Sequence, residues 1–301
     1  MISVQISTYN RCNILKEVLI SLDNQTIDKD LYEVVVINDG STDKTEQVVN
    51  DLIPKVKYNL KLINQEHKGL PYARNNGILN TKRKYILFID DDVLADKNLV
   101  LYHLKTHQEH KDKIVVRGWV NHIKELKIPD KPRFNLSDFS TSFFWTSNVS
   151  VEREYLIKAG LFCEKFHKYG WEDIEMGYKL RKFGLKLIIN NKAIGYHYKP
   201  KITNINNIEN ILKIEEYKAI SAKIYYSMYK SLRVKLAVGL HAKPFYKILY
   251  NLGLYQYLYK ILITNQKKQN KENLKKTNIL HNFINQVGIS LLKKMHYYNI
   301  L

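Results

Sequence analysis

The chain of 301 residues is long enough to bury a full core in one large domain or two smaller ones, and its 45% hydrophobic and 26% charged fractions are those of an ordinary globular protein. Two cysteines, Cys12 and Cys163, are too few for a disulfide framework and fit a reducing compartment. The net charge of +19 is unevenly placed: Lys199 to Leu301 carries 18 Lys and Arg against 4 Asp and Glu, with 11 of the 22 tyrosines, whereas the preceding residues carry 30 against 25.

In chain order, short apolar runs at Ile2–Ser7, Glu33–Ile37, Leu60–Ile63 and Tyr85–Ile89 read as strands. Helical periodicity occupies Asn13–Leu22, Lys44–Leu52, Pro71–Leu79 and Lys97–His110 between and after them. Strands alternating with helices of this length predict an α/β fold with a mainly parallel, Rossmann-like sheet. Pro71 suits a first helical turn, and Ser41 or Thr42 is placed to cap the second helix.

Beyond residue 113 the pattern changes. Ile114–Val120 and Thr146–Val151 read as further strands, with a loop at Lys127–Pro132 between them. Trp171–Phe183 reads as an amphipathic helix stopped by Gly184, and Leu185–Asn190 as a last strand. From about Ile205, Lys- and Tyr-rich helical segments follow, with a break at Pro244 and a polar stretch at Asn265–Asn278. We therefore expect one domain over residues 1–200 and a basic, Tyr-rich helical extension over 201–301. No apolar run reaches the roughly 18 residues needed to span a bilayer, and the opening Met-Ile-Ser-Val-Gln-Ile-Ser lacks a charged leader. The expected location is cytoplasmic, or peripheral on the inner face of the cytoplasmic membrane.

The most informative segment is Lys84-Tyr-Ile-Leu-Phe-Ile-Asp-Asp-Asp92. A buried strand there delivers three carboxylates to its C-terminal end, where open α/β sheets bind ligands. Crowded carboxylates repel, so positive charge belongs between them, and a hard divalent cation fits both the oxygen donors and a phosphate. A solvated acidic turn remains the plainer alternative. Two other strand ends converge on the same edge: Ser7-Thr-Tyr-Asn-Arg11, where Tyr9 offers a ring for stacking, and Asn38-Asp-Gly-Ser-Thr-Asp43, which suits a base edge or ribose but also an ordinary turn. Lys68 or Arg74 can meet phosphate or base at a helix start. Glu172 and Asp173 open a helix, where the dipole alone favours acids.

Together Ser7–Arg11, Ile37–Asp43, Ala73-Arg-Asn-Asn-Gly77, Phe88–Asp92 and Gly170-Trp-Glu-Asp-Ile-Glu175 resemble the family 2 glycosyltransferases, which have the GT-A fold. The resemblance covers about residues 1–200 and implies a nucleotide-sugar-binding half over 1–112 and an acceptor and catalytic half over 113–200. It implies an inverting, metal-dependent transfer from a UDP- or GDP-sugar to a glycan or lipid-linked acceptor, in cell-envelope glycan synthesis, with Mn²⁺ or Mg²⁺. By matched position, Thr8, Tyr9, Arg11, Asp39, Arg74, Asp90 and Asp91 contact the donor. Asp92, Asp90 and His197 hold the metal, with Asp92 the most direct ligand. Asp173 is the catalytic base, Glu172 positions the acceptor, and Trp171 and Asn148 lie on the acceptor side.

Three rivals remain. The basic tail admits nucleic acid, but no DNA- or RNA-binding signature is present and the motif-bearing body is near neutral; an anionic membrane surface, or simple packing on the body, suits it better. A nucleotidyltransferase would carry a Gly-rich loop, which Ser7–Arg11 lacks. The third rival is a non-catalytic sugar-nucleotide binder. Absence of a Gln-x-x-Arg-Trp motif argues against a processive synthase, and absence of a Gly-x-x-x-x-Gly-Lys or Gly-x-Gly-x-x-Gly loop against a kinase, ATPase or dinucleotide enzyme.

Overall fold

The structure, a computed structural model, describes residues 1–110, 113–133, 135, 138, 140–168, 170–200, 208–272 and 279–301, with side chains described outside 266–286. The chain divides into two compact units, Met1–His167 with Glu172–Lys201, and Lys168–Trp171 with Ile202–Leu301.

In the first unit eight strands among the described residues form one sheet: β1 Ile2–Thr8, β2 Tyr32–Asp39, β3 Asn59–Gln65, β4 Tyr85–Ile89, β5 Val93–Ala95, β6 Ile114–Ile123, β7 Asn148–Glu152 and β8 Lys186–Tyr198, in the order β3-β2-β1-β4-β7-β6-β8-β5. β1, β2, β3 and β4 run parallel, as does the β6–β8 pair; β7 is antiparallel to β4 and β6, and β5 to β8. The expected mainly parallel α/β sheet is present. Every residue of β2 and nearly every residue of β1 is buried, which is why these strands read as continuous apolar runs rather than alternating ones. The order reverses direction at β1, so the C-terminal ends of β1, β2 and β4 open on one crevice.

Helices cover both faces. Residues of α1 Cys12–Asp23, α2 Thr45–Leu52 and α4 Leu99–Glu109 pack with Ile2, Val4, Ile6, Val34 and Val36. Residues of α3 Leu70–Asn80, α5 Arg153–Lys158 and α6 Glu172–Lys182 pack on the other side, the last two with Phe88, Phe144 and Phe162. Phe88 meets the rings of Phe144 and Phe162 edge-on at 5.7 Å, and each such buried side chain contributes about 1.5–3 kcal/mol by area.

Pro71 stands in the first turn of α3 as the sequence predicts. The predicted cap of α2 does not form on Ser41 or Thr42. Asn10 takes both, its backbone N–H donating to Ser41 Oγ and its side-chain oxygen accepting from the Thr42 N–H, while Asp43 accepts from the Thr45 N–H at the helix start. α6 begins at Glu172, one residue later than the periodicity suggests, because Trp171 has φ +77. β8 runs eight residues beyond the predicted end, across a register shift opposite Gly118 and Trp119.

The second unit is helical: α7 Ile208–Tyr229, α8 Leu232–Ala237, α9 Lys243–Asn251, α10 Leu254–Glu272 and α11 Ile279–Ile300. Pro244 lies in the first turn of α9, where its missing N–H costs nothing. Part of the tyrosine content packs inside this unit: Tyr246 stacks on Tyr298 at 4.7 Å, and the Tyr297 hydroxyl donates to the Val238 carbonyl. The expected helical start at Ile205, and residues 273–278 of the polar stretch, lie outside the described residues. Among the described residues no helix is long and apolar enough to cross a membrane.

Candidate active site

Strand register explains how the acidic run acquires its neighbours. Ile89 of β4 pairs with Asn148 of β7, so the residues just beyond each meet, and Ser147 Oγ donates to Asp90 Oδ2 at 2.5 Å. Val93 of β5 pairs with His197 of β8, and the Tyr198 N–H donates to the Asp92 carbonyl. This clamp sets His197 Nε2 3.1 Å from Asp92 Oδ1. From β1, Thr8 Oγ1 donates to Asp91 Oδ2 at 2.8 Å, and Arg11 Nη1 reaches Asp91 Oδ1 at 3.0 Å and Asp92 Oδ2 at 2.8 Å.

The positive charge that three crowded carboxylates require is thus supplied by Arg11 and Arg74, with the His197 ring against Asp92. Burial is the largest influence on Asp91 and pushes its carboxyl up to about 6 against the pull of Arg11 and Thr8. Burial also opposes ionisation of Asp92, but His197 and Arg11 outweigh it and hold that carboxyl below its ordinary value. Donor atoms of Asp90, Asp92 and His197 lie within 4.8 Å of one another. Two carboxylates and an imidazole suit a hard divalent cation, and His197 Nδ1 is buried with no partner among the described residues, so the ring is not locked by a second bond.

A second group adjoins this one through Arg74. Its guanidinium is buried, donates to Glu172 Oε1 at 2.9 Å and Thr146 Oγ1 at 2.6 Å, and lies 3.6 Å from Asp90 Oδ1. The Phe162 ring supports it at 5.4 Å. Arg74 therefore ties the acidic strand end to the start of α6. Glu172 Oε2 is buried with no partner among the described residues. Asp173 remains partly exposed. Burial of its surroundings, reinforced by the Glu172 charge, raises its carboxyl to about 7, against Arg74 and a 2.7 Å bond from the Ile174 N–H. A carboxylate of that kind, open on one side, has the properties of a general base near neutral pH.

The remaining predicted positions are distributed as follows. Tyr9 is 43% exposed and stacks on His67 at 4.1 Å, a flat platform that the sequence did not reveal because His67 comes from a distant loop. Asp39 is buried and accepts from the N–H groups of Lys68 and Gly69 and from Gln65 Nε2, so it holds the loop entering α3. Gly40 is required beside it: its φ is +73, and a Cβ would approach the His67 nitrogen to 2.6 Å. Asn148 is fully buried, its amide donating to the carbonyls of Trp119 and Ala193 and accepting from His103 Nε2; it ties β7 to its neighbours. Trp171 belongs to the helical unit, where its indole donates to the Lys218 carbonyl and its ring packs on Tyr225. Thr146 and Ser147, which brace Arg74 and Asp90, carry no signal of their own in the sequence beyond opening a strand-like run.

An acidic cluster at the carboxyl ends of a sheet with this order defines the GT-A class of fold. Residues 3–160, more than half the chain, match the family model described as Glycosyl transferase family 2, and the chain belongs to that family. It is 29% identical over 249 residues to validoxylamine A glucosyltransferase of Streptomyces hygroscopicus subsp. jinggangensis, covering 70% of this chain and 58% of that protein. It is 28% identical to chondroitin synthase of Escherichia coli, over 66% of this chain and 35% of that one. The chain thus spans little more than half the length of the first of these relatives. Among solved structures, mannosyltransferase PcManGT from Pyrobaculum calidifontis, in complex with GDP-Man and Mn²⁺, matches with a TM-score of 0.60 at 16% identity, covering 99% of this chain and 84% of that one. S. aureus TarS 1-349 in complex with UDP-GlcNAc matches with a TM-score of 0.52 at 17% identity, over 99% and 90%.

Proposed function

We propose that this chain is an inverting, metal-dependent glycosyltransferase that moves a sugar from a nucleoside diphosphate to an acceptor hydroxyl. The observation that carries the reading is Arg74, which joins a cation-suited cluster of Asp90, Asp92 and His197 to Glu172, the neighbour of a partly exposed Asp173 whose carboxyl is raised toward neutrality. The transferase activity named for the relatives, and the nucleotide sugars and Mn²⁺ bound in the matching structures, support it.

When bound, a Mn²⁺ or Mg²⁺ ion on Asp90, Asp92 and His197 would neutralise the diphosphate leaving group. Thr8, Tyr9, Arg11, Asp39 and Asp91 form the donor side, where the Tyr9–His67 platform offers a nucleobase a stacking face. The acceptor oxygen attacks the anomeric carbon as the bond from that carbon to the diphosphate oxygen breaks. The bonding pair leaves with the diphosphate, and the acceptor proton passes to Asp173. Glu172, fixed by Arg74 through Oε1, and Trp171 are assigned to the acceptor side. A thermal-shift panel of UDP, GDP, CDP and ADP with and without Mn²⁺ tests the donor site. A metal-dependent rise with UDP or GDP that Asp92→Asn abolishes is expected. Failure of every nucleotide would overturn the reading, and binding without any transfer would favour a non-catalytic binder.

The helical unit supports an assignment of the place of action. Leu232, Leu236, Phe245, Ile248 and Leu252 are 52–76% exposed on α8, α9 and the turn after it, interleaved with Arg233, Lys235, Lys243 and Lys247. Phe245, Ile248 and Leu252 follow helical spacing, so one apolar stripe faces water beside basic side chains, a pattern suited to an anionic lipid surface. This stripe supports the reading that the enzyme works at the inner face of the cytoplasmic membrane on a glycan or lipid-linked envelope acceptor. In flotation, vesicles containing phosphatidylglycerol should carry the protein and pure phosphatidylcholine should not, with Phe245→Glu/Ile248→Glu abolishing the difference. Negligible binding to both vesicles would remove the membrane assignment alone.

A further inference from the structure

A cavity of about 320 Å³ opens on the acceptor half, lined by Arg117, Trp119, Asp138, Ser140, Trp145 and Ile189 among others, within the range of about 300–1,000 Å³ usual for small-molecule sites. None of these residues figures in the donor site or the proton transfer. Two of the three tryptophans of the chain stand in its wall. Such rings offer flat apolar faces that suit the C–H side of a pyranose.

Arg117 sets the character of the cavity. It is 7% exposed, and its Nη1 donates to the Ser142 carbonyl. Among the described residues no carboxylate lies within ion-pair distance, and no other acceptor takes its remaining N–H groups. Among the described residues the one acidic side chain in the wall, Asp138, is already engaged: Oδ1 accepts from His122 Nδ1 at 2.6 Å, and Oδ2 from Asn121 Nδ2 at 2.8 Å and the Asn135 N–H at 3.2 Å. A buried guanidinium without counter-charge is unfavourable, and a cavity on its open side is where an anion would relieve it.

Residues of the cavity wall are linked to the reaction centre through their neighbours. Trp145 directly precedes Thr146 and Ser147, which bond Arg74 and Asp90. On another side Asp138 holds His122, whose ring stacks on His197 at 5.4 Å. Gly118 in the wall lets β6 pack closely on β8 and β7, since a Cβ there would come within 2.3 Å of both the Ala193 carbonyl and the Asn148 amide.

We propose that this cavity is an acceptor subsite for an acidic sugar, a pyranose carrying a carboxylate or a phosphate that pairs with Arg117 while Trp119 and Trp145 hold the ring. The proposal rests on the glycosyltransferase reading above. The test is a tryptophan-fluorescence titration of the full chain with methyl glucuronide, glucose 6-phosphate and methyl glucoside, with inorganic phosphate and acetate as anion controls. The acidic sugar that fits should bind about tenfold or more tightly than methyl glucoside, the scale of one charged hydrogen-bonded pair, and its identity separates a uronate from a sugar phosphate. Arg117→Gln should erase that preference without changing Mn²⁺–nucleotide binding. Trp119→Leu should weaken every sugar while preserving the ratio, which keeps the test open if Arg117→Gln does not fold. Equal affinity for acidic and neutral sugars, a preference that survives Arg117→Gln, or no binding of either acidic sugar by a protein that still binds Mn²⁺–nucleotide would overturn the subsite. Loss of nucleotide binding in the unmodified chain would instead overturn the transferase reading itself.

Discussion

Asp173→Asn should lower kcat by about 10²–10⁴-fold, the contribution of a positioned general base, while leaving Mn²⁺-dependent donor binding intact. The amide keeps the shape of the carboxylate and its acceptance from the Ile174 N–H, so the start of α6 is retained and only proton uptake is lost. Because the Asp173 carboxyl is raised to about 7, and the base must be ionised, kcat/KM of the unmodified chain should climb with pH up to about 7 and then level. Residual activity of the variant should lack that limb. A variant with full turnover, or one that keeps the same limb, would show that another group takes the proton.

The same carboxylate carries a stability consequence of opposite sign. Its folded-state pKa lies above the unfolded value near 3.9, so its favourable contribution is present below about pH 4 and is lost as pH rises through about 7. Above that pH the folded protein bears an ionised carboxylate beside Glu172, with Arg74 the nearest relief. Asp173→Asn should therefore raise Tm at pH 8 and change it little at pH 4. For a domain of about 150–250 residues each kcal/mol appears as roughly 2–4 °C, so a gain of a few degrees is the readable effect. Lower stability of the variant at pH 8 would place the strain elsewhere. Turnover and stability pull against each other at this residue, as expected where a site holds charge that the fold alone would not choose.

What the sequence conveyed and withheld follows from the range of the interactions involved. β1, β2 and β4 were legible because burial on both faces writes an apolar run, and their polar ends stood out against it. β5, three residues long, exists because β8 pairs with it, and no local pattern announces that. β8 was read only as far as Asn190 because the polar Asn190–Lys192 step interrupts the apolar pattern, and pairing with β6 carries the strand onward past that step. The antiparallel entry of β7 beside β4 was equally hidden, since an apolar run has no direction. Yet that entry is what sets Ser147 against Asp90. The family resemblance implied Asp90, Asp92 and His197 as a group, and the structure brings their donor atoms together. For Asn148, matched position implied the acceptor side, and its amide is engaged by groups on three other elements. His67, His122 and Arg117 went unread because a lone His or Arg gains meaning only from what faces it.

Arg74 is where sequence and geometry differ most usefully, and its removal should be the largest single loss of stability in the sheet unit. At a helix start an Arg reads as a phosphate or base contact, but its partner Glu172 lies 98 residues away along the chain. Arg74→Met keeps much of the apolar stem over Phe162 and deletes the charge, leaving Glu172 buried with neither oxygen paired. Breaking a buried pair by removing one partner costs about 3–5 kcal/mol, mostly because the other charge is stranded. Urea denaturation at pH 8 should show a loss of that size, and adding Glu172→Gln should recover a large part of it, since the double variant no longer buries an unpaired carboxylate. Transfer activity should fall in both, because Asp90 and Glu172 lose their common brace. An Arg74 that served only to contact the donor base would behave differently: the single variant would weaken nucleotide binding, leave the urea midpoint where it was, and gain nothing from Glu172→Gln.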